Sequence, residues 1–109
     1  MNYGLKEETL AEIRRVLARH PEIERAVLYG SRAKGTCRLG SDVDLVLVGA
    51  GLDGRTLSQI AEAFEESTLP YRFDLSVLHR IRHPALLEHI ERVGVPLYER
   101  EPAVSRAHG

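Results

Sequence analysis

Three acidic residues and a short glycine loop are the part of this sequence best suited to chemistry. Asp42 and Asp44 stand two apart in Ser41-Asp42-Val43-Asp44-Leu45, and a third acid, Asp74, lies in Arg72-Phe73-Asp74-Leu75. Side chains two apart on a strand point the same way, so Asp42 and Asp44 would put two carboxylates on one face, roughly 6 to 7 Å apart at the backbone. Magnesium takes oxygen ligands, usually one or two carboxylates together with substrate phosphates, which suits an Asp-x-Asp pair. A strand carrying Asp74 beside the first would add a third carboxylate, more than one magnesium needs. Two metals about 3.5 to 4 Å apart account for the surplus, and such pairs serve phosphoryl or nucleotidyl transfer. Taken singly, each acid reads as well as a turn cap, a solvent-facing side chain or half of a surface ion pair. The shared face and the loop before it favour the metal.

That loop begins at Gly30, where the missing side chain lets backbone amides approach an anion, and Ser31 adds a hydroxyl. Arg32, Lys34 and Arg38 place three cations close together, a local charge that could offset a triphosphate. Each of them also reads as an ordinary solvated cation. Gly30 and Gly35 have the G-x-x-x-x-G spacing of the ATPase phosphate loop, but Thr36 stands where that loop needs Lys. No G-x-G-x-x-G follows a strand, so dinucleotide binding is unsupported.

The elements that must position these groups follow from periodicity. Leu10, Ile13 and Leu17 recur at helical spacing between Glu7 and His20, with acids early and arginines late. Ala26-Val27-Leu28-Tyr29 is a short apolar run ended by Gly30, which predicts a buried first strand. Gly30 to Gly40 reads as a loop holding at most one helical turn after Ser31, and Asp42 to Val48 as a second strand ended by Gly49, Gly51 and Gly54. A second helix is predicted over about 55–67, carrying Leu57, Ile60, Ala61 and Phe64. Tyr71 to Val77 alternates strictly, with Tyr71, Phe73, Leu75 and Val77 on one face and Arg72, Asp74 and Ser76 on the other. Pro84 suits the first position of a third helix bearing Leu86, Leu87, Ile90 and Val93, with Gly94 as its cap. Val95 to Tyr98 predicts a short, marginal last strand around Pro96.

With 109 residues the chain has room for one domain, and 43% hydrophobic with 28% charged residues is ordinary for a soluble protein. A formal net charge of -1 removes the broad basic field of a dedicated nucleic-acid or membrane-surface binder, so no direct nucleic-acid binding is expected. Cys37 is the single cysteine, so no internal disulfide can form, and no apolar run resembles a signal peptide or spanning helix. A cytoplasmic setting is the expectation.

Gly30-Ser31-Arg32-Ala33-Lys34-Gly35, Ser41-Asp42-Val43-Asp44-Leu45 and Asp74 together resemble the minimal nucleotidyltransferases of the DNA polymerase β superfamily, across roughly Leu10 to Tyr98. The resemblance implies an α/β (α+β) fold, a mixed β-sheet flanked by helices; the sequence itself reads as one domain over residues 1–100 followed by a disordered tail, 101–109. The resemblance implies that Gly30 and Ser31, with Arg32 and Lys34 beside them, hold the nucleotide phosphates of ATP. Asp42, Asp44 and Asp74 would bind two Mg²⁺ ions and carry catalysis, Asp74 also helping to activate the acceptor hydroxyl, which attacks the α-phosphate in line. Members of this size resemble antitoxins paired with a helical HEPN-domain ribonuclease, some of which transfer AMP to a toxin tyrosine. With no further domain to bind another acceptor, a HEPN-domain protein is the expected partner. Two alternatives stay open: a small-molecule hydroxyl as acceptor, and a non-catalytic antitoxin acting by binding alone. Self-association into a homo-oligomer stays open too.

Other features point to no chemistry. His20, His79, His83, His89 and His108 read as surface or structural residues, since Pro84 disfavours one helix through His79 and His83 and no cysteine pair accompanies them. Cys37 reads as incidental, and Tyr29 and Phe73 as core.

Overall fold

A computed structural model describes residues 3–35 and 42–100. Thr36, Cys37, Arg38, Gly40, Ser41, His108 and the expected tail 101–109 lie outside the described residues. The elements run α1 (Glu7–Ala18), β1 (Arg25–Tyr29), α2 (Gly30–Lys34), β2 (Val43–Val48), α3 (Gly54–Glu66), β3 (Phe73–Val77), α4 (Pro84–Val93) and β4 (Val95–Glu99). A single 3₁₀ turn, Leu78–Arg80, joins β3 to α4 and has no clear sequence signal.

The sheet order is β3-β2-β1-β4. β2 and β3 are parallel, joined through α3, while β1 pairs antiparallel with both β2 and β4. The sheet is therefore mixed, as the resemblance implies. One face is sealed by α1 and α3: Ile13, Val16 and Leu17 meet Leu28, Val43, Leu45, Leu47, Ile60 and Phe64 in the main core. The other face is covered by α4, through a smaller cluster of Tyr29, Val46 and Ile90. This second face carries Asp44.

Local chemistry explains the ends of the elements. Asp53 caps α3 by accepting the Thr56 N–H at 2.9 Å, the role of a short acceptor side chain just before a helix. Pro84 opens α4, and His83 caps it by accepting the Leu86 N–H through Nδ1 at 3.4 Å. Gly94 ends α4 but is extended, with φ -62°, rather than left-handed. It is glycine for want of space, because a Cβ there would lie 2.4 Å from the Ile90 carbonyl oxygen and 2.7 Å from Val27. Pro96 is tolerated because β4 is an edge strand, where a missing N–H breaks no necessary bond. β4 is accordingly a full five-residue strand. No helix among the described residues is long and apolar enough to cross a membrane.

Candidate active site

The strand register gathers the acids. Asp44 on β2 lies opposite Asp74 on the parallel neighbour β3 and opposite Tyr29 on the antiparallel neighbour β1. Directly paired residues share a face, so the two carboxylates project together on the α4 side. Asp42, exposed just before β2, adds its charge from two residues away. Burial, then the charges of Asp74 and Asp42, push the Asp44 carboxyl above its ordinary range, against a smaller opposing pull led by Arg32. Like charges held close to a carboxyl raise the cost of ionising it in this way, and a cation placed between them removes the penalty. The donor set therefore fits a hard divalent ion. Among the described residues no three acid or histidine side chains close around an ion by themselves. The carboxylates form an open face that substrate phosphate oxygens would complete, the usual situation for magnesium.

Gly30 joins the acids through its backbone. Its φ is +76°, and a Cβ built there would lie 2.3 Å from Asp44 Oδ2. The Asp44 carboxylate thus occupies the space a side chain at position 30 would need, and only glycine combines that contact with a left-handed backbone. Ser31 follows, half-buried in the first turn of α2, which ends at Gly35, also left-handed at φ +79°. The expected single helical turn is present, beginning at Gly30 itself. Tyr29 is buried next to the acids; burial raises its phenol pKa, a hydrogen bond with Ser76 opposes this, and Asp74 and Asp44 add to the rise.

A groove of about 760 Å³ runs along α4 beside Val27 and Pro96, but none of the three acids lines it. The candidate site is instead an open rim at the end of β1, β2 and β3. A match to the family described as "Polymerase beta, Nucleotidyltransferase" covers residues 11–103. The chain belongs to this nucleotidyltransferase family. It is 32% identical over 103 residues to the "Probable protein adenylyltransferase MntA" of Haemophilus influenzae, covering 94% of this chain and 90% of that one. Among solved structures, a toxin–antitoxin with AMP-PNP has a TM-score of 0.67 at 24% identity, covering 89% of this chain and 76% of that chain. A tri-AMPylated Shewanella oneidensis HEPN toxin in complex with MNT antitoxin has a TM-score of 0.66 at 20% identity, covering 88% and 74%. These two likenesses share the mixed-sheet nucleotidyltransferase fold.

Within this nucleotidyltransferase the two cations expected at the phosphates are placed differently. Lys34 is exposed at the far end of α2. Arg32 turns inward and is 3% exposed; its Nε donates to the Asp42 carbonyl at 3.2 Å, its Nη1 donates to the Tyr3 carbonyl at 3.1 Å, and its guanidinium lies 5.1 Å from the centre of the Tyr71 ring. It ties α2 to the backbone of the first acid from beneath. Lysine has no planar fork to serve two carbonyls and a ring at once. Arg32→Lys should therefore cost about 1–3 kcal/mol, seen as a lower midpoint in urea unfolding.

His89, read from sequence as a surface or structural residue, belongs to this site. It reaches from α4, accepts the Gly30 N–H through Nε2 at 3.2 Å, and stands edge-on to Tyr29, with ring centres 6.2 Å apart at 80°. No spacing rule finds it, since the contact exists only because α4 packs over the end of β1. The Arg15–Glu12 and Arg92–Glu88 ion pairs lie on exposed helix faces and use none of the three acids.

Proposed function

We propose that this protein is a magnesium-dependent adenylyltransferase that transfers AMP from ATP to a hydroxyl of a HEPN-type toxin, acting as its antitoxin. The observation that carries this reading is the in-register pairing of Asp44 with Asp74 against the side-chain-free face of Gly30. Kinship with the probable protein adenylyltransferase of Haemophilus influenzae supports the choice of reaction, and the fold shared with the AMPylated HEPN toxin complex supports the choice of partner.

In this reading Gly30 and Ser31 form the turn against which the triphosphate would lie, and Asp42 and Asp44 would hold magnesium together with phosphate oxygens. When bound, the metal neutralises the triphosphate and lowers the pKa of the attacking hydroxyl. Asp74, exposed on edge strand β3, is open to an acceptor arriving from outside the chain and takes part in activating its hydroxyl. The hydroxyl gives its proton up toward Asp74 as its oxygen forms a bond to the α-phosphorus, the bond to the pyrophosphate oxygen breaks, and pyrophosphate leaves. Alignment and charge neutralisation supply most of the rate. The same reading takes the reaction to be cytoplasmic, the compartment in which ATP is abundant.

Incubation of the purified chain with magnesium, labelled ATP and the product of the neighbouring gene should raise the mass of that product by whole AMP units. A wild-type chain that binds ATP yet leaves the partner's mass unchanged while silencing its ribonuclease activity would replace enzymatic action with neutralisation by binding.

A further inference from the structure

Gly30 is the residue on which the phosphate turn and the metal face meet, and its N–H is already engaged. The acceptor is His89 Nε2, on a helix that contributes no acid to the site. For Nε2 to accept, the imidazole must be the neutral tautomer protonated at Nδ1. The ring is itself held: it is half-buried and packs edge-on against Tyr29, which precedes the turn and sits opposite Asp44 in the sheet. A left-handed glycine is the most freely rotating kind of residue, and here one hydrogen bond donated to a packed ring fixes the orientation of its peptide. Rotation of that peptide would move the Gly30 backbone relative to Asp44 Oδ2, which lies against it.

We propose that His89 is a positioning residue for the nucleotide: by accepting the Gly30 N–H it locks the turn in the orientation that receives the triphosphate beside Asp44. The inference rests on the reading of Gly30 and Ser31 as the phosphate-holding turn. It assigns the Gly30 amide to holding the turn, so the contacts to phosphate fall to groups that follow it. α4 thereby both covers the second sheet face through Ile90 and sets the nucleotide site through His89.

The test is calorimetric titration of the full chain with ATP and magnesium, paired with transfer rates at varied ATP. His89→Leu should raise the ATP Kd and KM about tenfold, the scale of one lost hydrogen bond, and leave kcat at saturating ATP within about threefold. His89→Gln, whose side-chain amide can carry an acceptor to the Nε2 position, should restore ATP binding to within about threefold of wild type. Should His89→Leu fail to fold, His89→Gln against His89→Asn gives the same contrast, because the asparagine amide is too short to reach Gly30. Binding by His89→Leu that equals or exceeds wild type would overturn the proposal, the imidazole then being at best a plug that phosphate displaces. Binding by His89→Gln as weak as by the leucine variant would overturn it too. A wild-type chain that binds no ATP would remove the phosphate-turn reading itself, whereas wild-type binding indifferent to His89 removes only this role.

Discussion

Asp44→Asn should cut nucleotide transfer by about 10³-fold or more while raising the melting temperature of the metal-free chain at neutral pH. The loss is on the scale of removing a principal charge-stabilising group from a preorganised site. The gain follows from the raised carboxyl of Asp44, caused first by burial and then by Asp74 and Asp42. A carboxyl whose folded pKa exceeds its unfolded one favours folding relatively when protonated. Its burden on stability begins as pH climbs past the unfolded value and is complete above the folded value. At neutral pH the wild type carries that burden in full and the asparagine variant does not. Below the unfolded carboxylate range both side chains are neutral, so the difference in melting temperature should vanish there. Magnesium should reverse the order at neutral pH by stabilising the wild type, since a ligand that binds only the folded state adds its binding energy to stability. Melting curves at acidic and neutral pH, with and without magnesium, check all of this. A variant no more stable than wild type in metal-free buffer would show that neither burial nor the neighbouring acids burden the Asp44 carboxylate.

Gly30→Ala is expected to cost stability moderately and activity severely, with the two losses arising separately. A left-handed backbone costs an alanine about 1–2 kcal/mol, lowering Tm by roughly 4–8 °C per kcal/mol in a domain near this size. The new methyl would also overlap Asp44 Oδ2, at 2.3 Å. A carboxylate at the end of a short side chain escapes by swinging away, so the overlap falls on catalysis rather than on folding. Displacing a reacting group by about 1 Å can cost about 10²-fold in rate. If the damage runs through Asp44, Gly30→Ala combined with Asp44→Asn should transfer no more slowly than Asp44→Asn alone, because coupled sites are not additive. Multiplied losses in the double variant would mean that Gly30 serves the reaction by a route independent of Asp44.

The fold was legible wherever a local rule governs it. The alternation of Phe73, Leu75 and Val77 against Asp74 and Ser76 put the right side chains into the core, and Pro84 marked the start of α4. At Gly94 the local rule named the right residue for the wrong reason. A glycine after a helix suggests a left-handed cap, but here the constraint is the approach of Val27 and the Ile90 carbonyl. Steric room of that kind belongs to the packed molecule and leaves no mark on a single sequence.

The candidate site divides in the same way. Spacing alone set Asp42 two residues before Asp44, at the entry to β2, with a glycine turn ahead of them, because both facts depend only on the chain within a few residues. Tertiary structure decided that β3 lies parallel to β2 with Asp74 level with Asp44, that Arg32 points inward to the Asp42 carbonyl, and that His89 arrives on Gly30 from α4. Those contacts join groups 10 to 59 residues apart in the chain. Their existence depends on which surfaces pack together, a choice made by the core as a whole rather than by any segment of it.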